Sequence, residues 1–365
     1  PEPVRLSVAL KRNVLAMGAE LKNTIAVGRN KQVVLSPHIG DLDTLEANES
    51  QRMVSKCLPE FLKCEPDVIA VDLHPDMHAT ALGREIAEQR SIPLHQVQHH
   101  HAHAVSCMAE YGLTEALALI FDGTGLGTDG NIWGAELMHS TLKDFHRLAT
   151  FVPVPMPGGD AAVLQPVRQL VGRWVSAGMT DLDSVPEKYN VSPEELAIWI
   201  RQIESGINSP LCHSAGRLFD SFAVALGVAP ARITYDGQPA IRLESMARKC
   251  QTGVDDLPDV PFKCIENEGL LSIDWSPAFM DLKDRVIDPK DAPKWAMSVH
   301  VAIATAASKM LEFALSVSSC REVVLSGGVF MNRILSDELV KRLQRMGLKV
   351  YEHRQIPPND GGVSL

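Results

Sequence analysis

Two histidines four residues apart, and an aspartate that the next strand returns to them, are the residues of this chain best placed to do chemistry. The histidines lie in Val97-Gln98-His99-His100-His101-Ala102-His103, and the aspartate ends an apolar stretch that runs into Asp122-Gly123-Thr124-Gly125. Read as a helix from 98 to 112, the first segment puts His99 and His103 on one face and turns His100 and His101 away. Ala102, Val105 and Met108 are expected on its inner side. From His99 that helix climbs roughly 20 Å at about 1.5 Å per residue, and the strand over 116–122 returns about the same distance at about 3.3 Å per residue. Asp122 is therefore predicted beside His99. Imidazoles and a carboxylate brought together are ligands for a divalent metal. The plain alternative is a solvated histidine-rich surface; an expression tag is excluded because the run is internal. A later carboxylate, Asp360 in Pro357-Pro358-Asn359-Asp360-Gly361-Gly362, also follows a strand, and two histidines with two aspartates suit Fe(II), Zn(II) or Mn(II).

Phosphate chemistry is the second theme. Gly125-x-Gly127-x-x-Gly130 matches the dinucleotide fingerprint in letters, but the following residues 131–137 are strand-like and the motif requires a helix there. A glycine turn between two strands, spanning 123–130, instead offers backbone N–H groups and the Thr124 hydroxyl to an anion, or is simply a hairpin that needs positive φ. Lys22, in the turn joining the first two strands, is positioned to meet the same phosphates from across a cleft; alone it reads as a solvated lysine. Ser326-Gly327-Gly328-Val329-Phe330-Met331-Asn332 puts paired glycines between a buried strand and a helix, for close approach of a base or phosphate or for strand–helix packing. In Ser214-Ala215-Gly216-Arg217-Leu218-Phe219-Asp220, Ser214 is a helix N-cap, and Asp220 is either a ribose ligand or an ordinary surface acid. Met156-Pro157-Gly158-Gly159-Asp160 is a turn without an assigned role.

Composition sets the frame. A chain of 365 residues, 45% hydrophobic, is large enough for two domains. Its seven cysteines form no C-x-x-C pair and their odd number argues against a disulfide framework, implying a reducing, cytoplasmic setting. The net charge of −10 argues against a direct nucleic-acid partner. No apolar run approaches the ~20 residues of a membrane span, and the opening Pro1-Glu2-Pro3 reads as the start of a piece of something longer.

The elements that must hold these residues read as strands at 13–18, 24–28 and 32–36, a helix at 44–63, a strand at 68–72, a helix at 79–90 and a strand at 92–97. The pattern restarts with strands at 117–121 and 132–139, then helices from about 163, a helix at 214–227, a strand at 322–325, a helix at 332–346 and a strand at 348–352. Two halves, each opening with a strand–turn–strand unit, predict an internal duplication. The expected division is a first lobe over 1–115 and a second over 116–365, with a helical insertion around 160–210 and a peripheral segment at 251–294.

Taken together, these stretches resemble the C-terminal transferase region of the HypF-type hydrogenase-maturation carbamoyltransferases, of the actin-like and sugar-kinase-like ATPase superfamily. The resemblance rests on Gly18-Ala19-Glu20-Leu21-Lys22-Asn23, His38 to Leu42, Asp72-Leu73-His74-Pro75, the histidine run, Asp122 to Gly127, Pro155 to Asp160, Ser326 to Asn332 and Pro357 to Gly362. It implies a duplicated actin-like (ribonuclease-H-like) α/β fold with a nucleotide cleft between the lobes. It implies a metal, iron or zinc, on His99, His103, Asp122 and Asp360, and nucleotide on Lys22, Gly123, Thr124, Gly125, Gly159, Gly216, Asp220, Gly327, Gly328 and Asn332. The implied reaction carries the carbamoyl group of carbamoyl-adenylate, made elsewhere from ATP, to the C-terminal cysteine of the partner HypE, releasing AMP, on the way to the cyanide ligands of nickel-iron hydrogenase. Acylphosphatase-like, zinc-finger and adenylation regions of the family lack counterparts here, and the chain stops at Leu365, before a helix that follows in the family, which is expected to loosen Asp360. No cysteine of the chain is needed as nucleophile, and Cys107 reads as packing. The competing readings are threonylcarbamoylation of tRNA, O-carbamoylation of a small metabolite, and a non-catalytic nucleotide-binding module.

Overall fold

The computed structural model describes residues 2–230 and 232–365; Pro1, with which the expected first lobe opens, lies outside them. In the first lobe, β1 (Val4–Arg5), β2 (Val14–Ala16), β3 (Ala26–Arg29), β4 (Gln32–Leu35), β5 (Val68–Asp72) and β6 (Leu94–Val97) form one sheet in the order β1-β4-β3-β2-β5-β6. Helices α1 (Leu45–Leu62) and α2 (His78–Arg90) connect its later strands, and α3 (His99–Tyr111) follows β6. The second lobe begins with β7 (Glu115–Leu126), β8 (Ile132–Thr141), β9 (Phe145–Phe151) and β10 (Val154–Pro155). Next come α4 (Asp160–Leu164), α5 (Val167–Ser176), α6 (Val185–Tyr189), α7 (Pro193–Ser205), β11 (Leu211–Cys212), α8 (Ala215–Ala225) and α9 (Gln238–Ala247). It closes with β12 (Lys263–Asn267), β13 (Leu270–Asp274), α10 (Ser276–Leu282), α11 (Ala292–Val317), β14 (Glu322–Ser326), α12 (Arg333–Arg345) and β15 (Lys349–Glu352).

Strand order shows the duplication that sequence identity alone does not. The second sheet runs β12-β13-β9-β8-β7-β14-β15. In each lobe one strand (β2 or β7) lies centrally, with an antiparallel meander on one side and two parallel strands on the other. This is the duplicated actin-like arrangement the sequence implies. Parallel strands carry their loops to one edge, and ligands bind outside the carboxyl ends. Asp72, Val97, Ser326 and Glu352 are all such ends.

Local chemistry explains the key elements. Residues Ala116 to Phe121 of β7 are fully buried and show no alternation, because both faces of the strand are covered. Phe121 stacks on Phe330 at 5.5 Å between centroids and tilts against Phe151, which anchors the strand just before Asp122. Helix α3 starts where Gln98 Oε1 accepts the His101 N–H at 2.8 Å and stops at Gly112, whose φ of 67° favours glycine. Its buried face is His99, His100, His103, Ala104, Cys107 and Met108, and the last three pack on β7, β8 and β14 of the second sheet. The inner side is only partly the one expected: Met108 is fully buried, whereas Ala102 and Val105 are half-buried, because the 99–103–107 and 100–104–108 rows face the sheet.

One further expectation changes, and two gain detail. Gly123 to Leu126 continue β7 through an irregularity between Phe121 and Gly125, so the turn is confined to 127–131 and only Gly130 has positive φ, at 80°. Within the expected insertion, α5 contributes Leu170, Val171 and Trp174 to the main core. In the expected peripheral segment, β12 and β13 extend the second sheet beyond β9, through a two-residue turn in which Glu268 and Gly269 both have positive φ. Among the described residues, no helix is long and apolar enough to cross a membrane.

Candidate metal centre

Four side chains from two elements and one loop meet between the sheets. His99 and His103 project from the first turns of α3, Asp122 from β7, and Asp360 from the loop after β15. His99 Nε2 lies 3.4 Å from Asp122 Oδ2 and 3.8 Å from Asp360 Oδ1; His103 Nε2 lies 3.7 and 3.6 Å from the same atoms. Ligands held about 2.1 Å from a tetrahedral ion stand about 3.4 Å apart, so these separations are those of an ion's coordination shell. Both Nε2 atoms are buried with no hydrogen-bond partner, and a buried polar atom without a partner is costly. The residues fit a divalent metal.

The electrostatics agree. Burial alone favours neutral His99, yet Asp122, Asp72 and Asp360 outweigh it and hold the imidazole pKa well above its ordinary value. His103 is raised by Asp122 and Asp360 against the same burial. Burial likewise opposes the Asp122 charge, and His103 with His99 overcomes it to hold that carboxyl well below the usual range. The carboxylates and imidazoles of the cluster thus stabilise opposite charges in one another despite their burial. A divalent cation held by neutral imidazoles and carboxylates would answer the same local demand for positive charge.

Three of these candidate ligands are held from behind. His99 Nδ1 donates to Asp72 Oδ2 at 2.8 Å, which leaves Nε2 as the ligand atom. Asp122 Oδ1 accepts the Gly328 N–H at 3.0 Å, and its carbonyl accepts from Ser214 Oγ at 2.8 Å. The Asp360 loop is tied to the first lobe by Thr24 Oγ1, which donates to the Gly361 carbonyl at 2.9 Å. At 15% side-chain exposure, Asp360 is the most open of the four. His100 does turn away from the cluster, but it is fully buried beside Gly125 and burial pushes its pKa well down.

The nucleotide-site residues divide. Gly123 is half-buried and Thr124 exposed at the cleft beside the metal cluster. Gly216 packs its α8 turn on Gly123: a Cβ there would sit 3.0 Å from the Gly123 Cα. Lys22 reaches across the cleft to Asp236 Oδ2 at 2.7 Å; burial lowers its pKa, but Asp236, then Asp360 and Asp41, raise it overall. Asp220 is no surface acid: it is buried beside Arg217, Oδ2 to Nε 3.2 Å, and burial raises its pKa. The N–H groups of Gly327 and Gly328 are already given to the Pro358 carbonyl and Asp122, so this loop offers clearance rather than donors. Asn332 caps α12 through Oδ1, accepting from Leu335, and its Nδ2 donates to His300. Gly159, with φ of 55°, begins α4 beside Asn208, and its contacts tie it to that loop.

Sequence reading named no role for Asp236, Arg217, Glu110 or His353, and quoted Asp72 and Ser326 without one. Asp72 and Ser326 share one usable signal, a polar residue at the carboxyl end of a buried parallel strand. A separate, mostly apolar cavity of about 640 Å³ lies behind Asp72, lined by Ala16, Ala26, Gly28, Ala102 and Val105. The chemistry lies outside it. Glu115, His139 and Cys320 also gather, at the opposite end of β7, with His139 Nε2 3.3 Å from Glu115 Oε1.

Comparison with known proteins places the chain. Residues 118–365 match the family "Carbamoyltransferase, Kae1-like Domain, second subdomain", and residues 9–110 match "HypF Kae1-like domain". Carbamoyltransferase HypF of Rhodobacter capsulatus is 34% identical over 96% of this chain and 46% of its own length. A carbamoyltransferase HypF homolog of Cupriavidus necator is 34% identical over 96% of this chain and 89% of its own length. The crystal structure of full-length HypF in its phosphate- and nucleotide-bound form superposes with a TM-score of 0.89 at 30% identity, covering 100% of this chain and 46% of that one. That of T. kodakarensis HypF gives 0.86 at 33% identity, covering 100% and 47%. The chain spans about half the length of the first of these relatives, at 46%. With both halves matched in order, the chain belongs to the HypF carbamoyltransferase family, and its two lobes are that family's Kae1-like domain.

Proposed function

We propose that this chain transfers the carbamoyl group of carbamoyl-adenylate to the C-terminal cysteine thiol of a HypE-like partner, one step in making the cyanide ligands of nickel-iron hydrogenase. The observation that carries the reading is the buried cluster of His99, His103, Asp122 and Asp360, with two unpartnered Nε2 atoms, beside a cleft edged by Gly123, Thr124 and Lys22, in a member of this family. Adenylation of carbamoyl phosphate with ATP belongs, on this reading, to other regions of the longer protein, as do the zinc-finger and acylphosphatase units.

The chemistry asks little of the protein. In a mixed anhydride the carbonyl is already activated, so the site must hold it, stabilise developing charge and admit a thiolate. A metal on the four ligands would polarise an oxygen of the substrate. Thiolate sulfur attacks the carbamoyl carbon, the bond from that carbon to the phosphate oxygen breaks, and AMP leaves with the electron pair. The thiol proton goes to solvent. Lys22 can exchange its Asp236 partner for a phosphate oxygen, and Thr124 lies exposed at the same edge. The chain's own Cys107 takes no part: it is buried, its thiol pKa is raised by burial, and Sγ faces the Tyr351 carbonyl at 3.7 Å.

The test supplies metal-loaded chain with pre-formed carbamoyl-adenylate and follows AMP release with and without a thiol acceptor. Release that requires the metal supports the reading. Consumption of ATP with carbamoyl phosphate by this chain alone would contradict the division of labour.

A further inference from the structure

We propose that Glu110, His353 and Ser326 form a relay that fixes the tautomer and ring orientation of His103, and thereby sets the metal affinity of the centre. This rests on the metal reading above. His103 presents Nε2 to Asp122 and Asp360, so the ring proton belongs on Nδ1. That atom lies 3.2 Å from Ser326 Oγ, which accepts. The serine hydroxyl then donates to His353 Nε2 at 2.8 Å; the Pro358 carbonyl, at 3.4 Å, is the poorer acceptor. On the far side of its ring, His353 Nδ1 lies 2.7 Å from Glu110 Oε1.

Glu110 decides the direction. Its Oε2 receives the backbone N–H groups of Arg354 at 2.9 Å and Gln355 at 2.6 Å, so the carboxylate is held as a pure acceptor. Against it, His353 must carry its proton on Nδ1, which leaves Nε2 as a lone pair for Ser326. Every donor and acceptor along the relay then points one way, and burial lowers the His353 pKa despite the opposing pull of Glu110. The relay is sealed: Ser326 and His103 are fully buried, and the side chains of His353 and Glu110 are 2% and 0% exposed.

The arrangement parallels the other histidine. His99 ends directly on a buried carboxylate, Asp72, whereas His103 reaches Glu110 through two intermediates. Glu110 lies on α3 two turns beyond His103, Ser326 ends β14 and His353 follows β15. The relay therefore also stitches together the three elements that must stay in register for four ligands to meet. Partners of this kind fix ring orientation, and losing one typically costs 10–100-fold in metal affinity.

The experiment measures Co(II) binding to the full chain by competition with a chelating dye, and records the visible ligand-field bands. Ser326→Ala is expected to raise the dissociation constant about 10–100-fold and to shift the bands, with Glu110→Gln moving both in the same direction. Ser326→Thr, which keeps the hydroxyl, is expected to restore both. Parent-like affinity and spectrum in Ser326→Ala and Glu110→Gln would overturn the relay, as would a Ser326→Thr protein no better than Ser326→Ala. If Glu110→Gln does not fold, the Ser326 pair decides. A parent chain that fails to bind Co(II) at all would instead overturn the metal reading.

Discussion

Replacing Gly125 by alanine tests how tightly the strand end is fitted to the metal histidines. A Cβ on Gly125 would lie 2.5 Å from His100 Cε1 and 2.9 Å from His99 Cδ2, whereas carbon atoms rest about 3.5–4.0 Å apart. The rings would have to withdraw by about 0.6–1 Å. His99 cannot do so freely, because Nδ1 is held by Asp72 at 2.8 Å, and His100 is buried with Nδ1 3.1 Å from Gln98 Nε2. Metal–ligand distances tolerate about 0.2 Å, so the shift falls outside what the centre can absorb. Overpacking is expected to cost about 1–3 kcal/mol of stability. Metal affinity is expected to fall at least as far as when a supporting partner is lost, about 10–100-fold, or about 1.4–2.7 kcal/mol. Equilibrium dialysis against Zn(II) and thermal unfolding of Gly125→Ala give the two values. Gly130→Asn is the control, since nothing lies within 4 Å of a Cβ there and asparagine accepts its φ of 80°. Parent-like metal affinity in Gly125→Ala would refute the reasoning. The same geometry makes any larger residue at 125 a metal-site variant first, and a poor probe of nucleotide.

Four other outcomes are expected. His99→Ala and His103→Ala should abolish stoichiometric metal while His146→Ala, at an exposed position, keeps it; elemental analysis decides, and His100 is unsuitable as the control because it is buried. Ser214→Ala removes both the α8 cap and the bond to the Asp122 carbonyl, so it should lose about 1 kcal/mol or more, read as a lower unfolding midpoint. In the native chain at pH 8, iodoacetamide should label the exposed Cys57 and Cys264 and spare Cys107, as peptide mass spectrometry would show. Finally, burial lowers the His300 pKa to about 4, so this group withholds its proton in the folded state while the unfolded chain takes one up. Stability should therefore fall as pH drops from about 6.5 to 4, by about 1 kcal/mol per unit, and His300→Gln should flatten that part of the denaturation–pH profile.

Where periodicity and rise per residue constrained the chain, the sequence was legible. The return of Asp122 to His99 follows from a helix and a strand of matching length, and the strands that carry the site follow from the order of apolar runs, whereas β9 of the second sheet is not among the expected strands. What stayed hidden depends on contacts between distant segments. Ala102 and Val105 are expected inward, and only Met108 is found there, because the α3 histidines count as polar in any hydrophobic pattern, yet His99, His100 and His103 are buried as deeply as Ala104, Cys107 and Met108. The strand character of Gly123 and Gly125 was masked by glycine's usual association with turns, although neither has positive φ. The β12–β13 hairpin is obscured by its polar outer strand, and Asp220 alone reads as a surface acid without the Arg217 that engages it.

The most direct test of the account is the mass of an acceptor peptide. Metal-loaded chain is incubated with carbamoyl-adenylate and a peptide ending in cysteine, beside a matched peptide ending in serine. The account predicts one added carbamoyl group on the cysteine peptide, located on its terminal residue by fragmentation, and a reduced yield with Asp360→Asn. Equal modification of the two peptides, or undiminished transfer after the metal is removed, would contradict it.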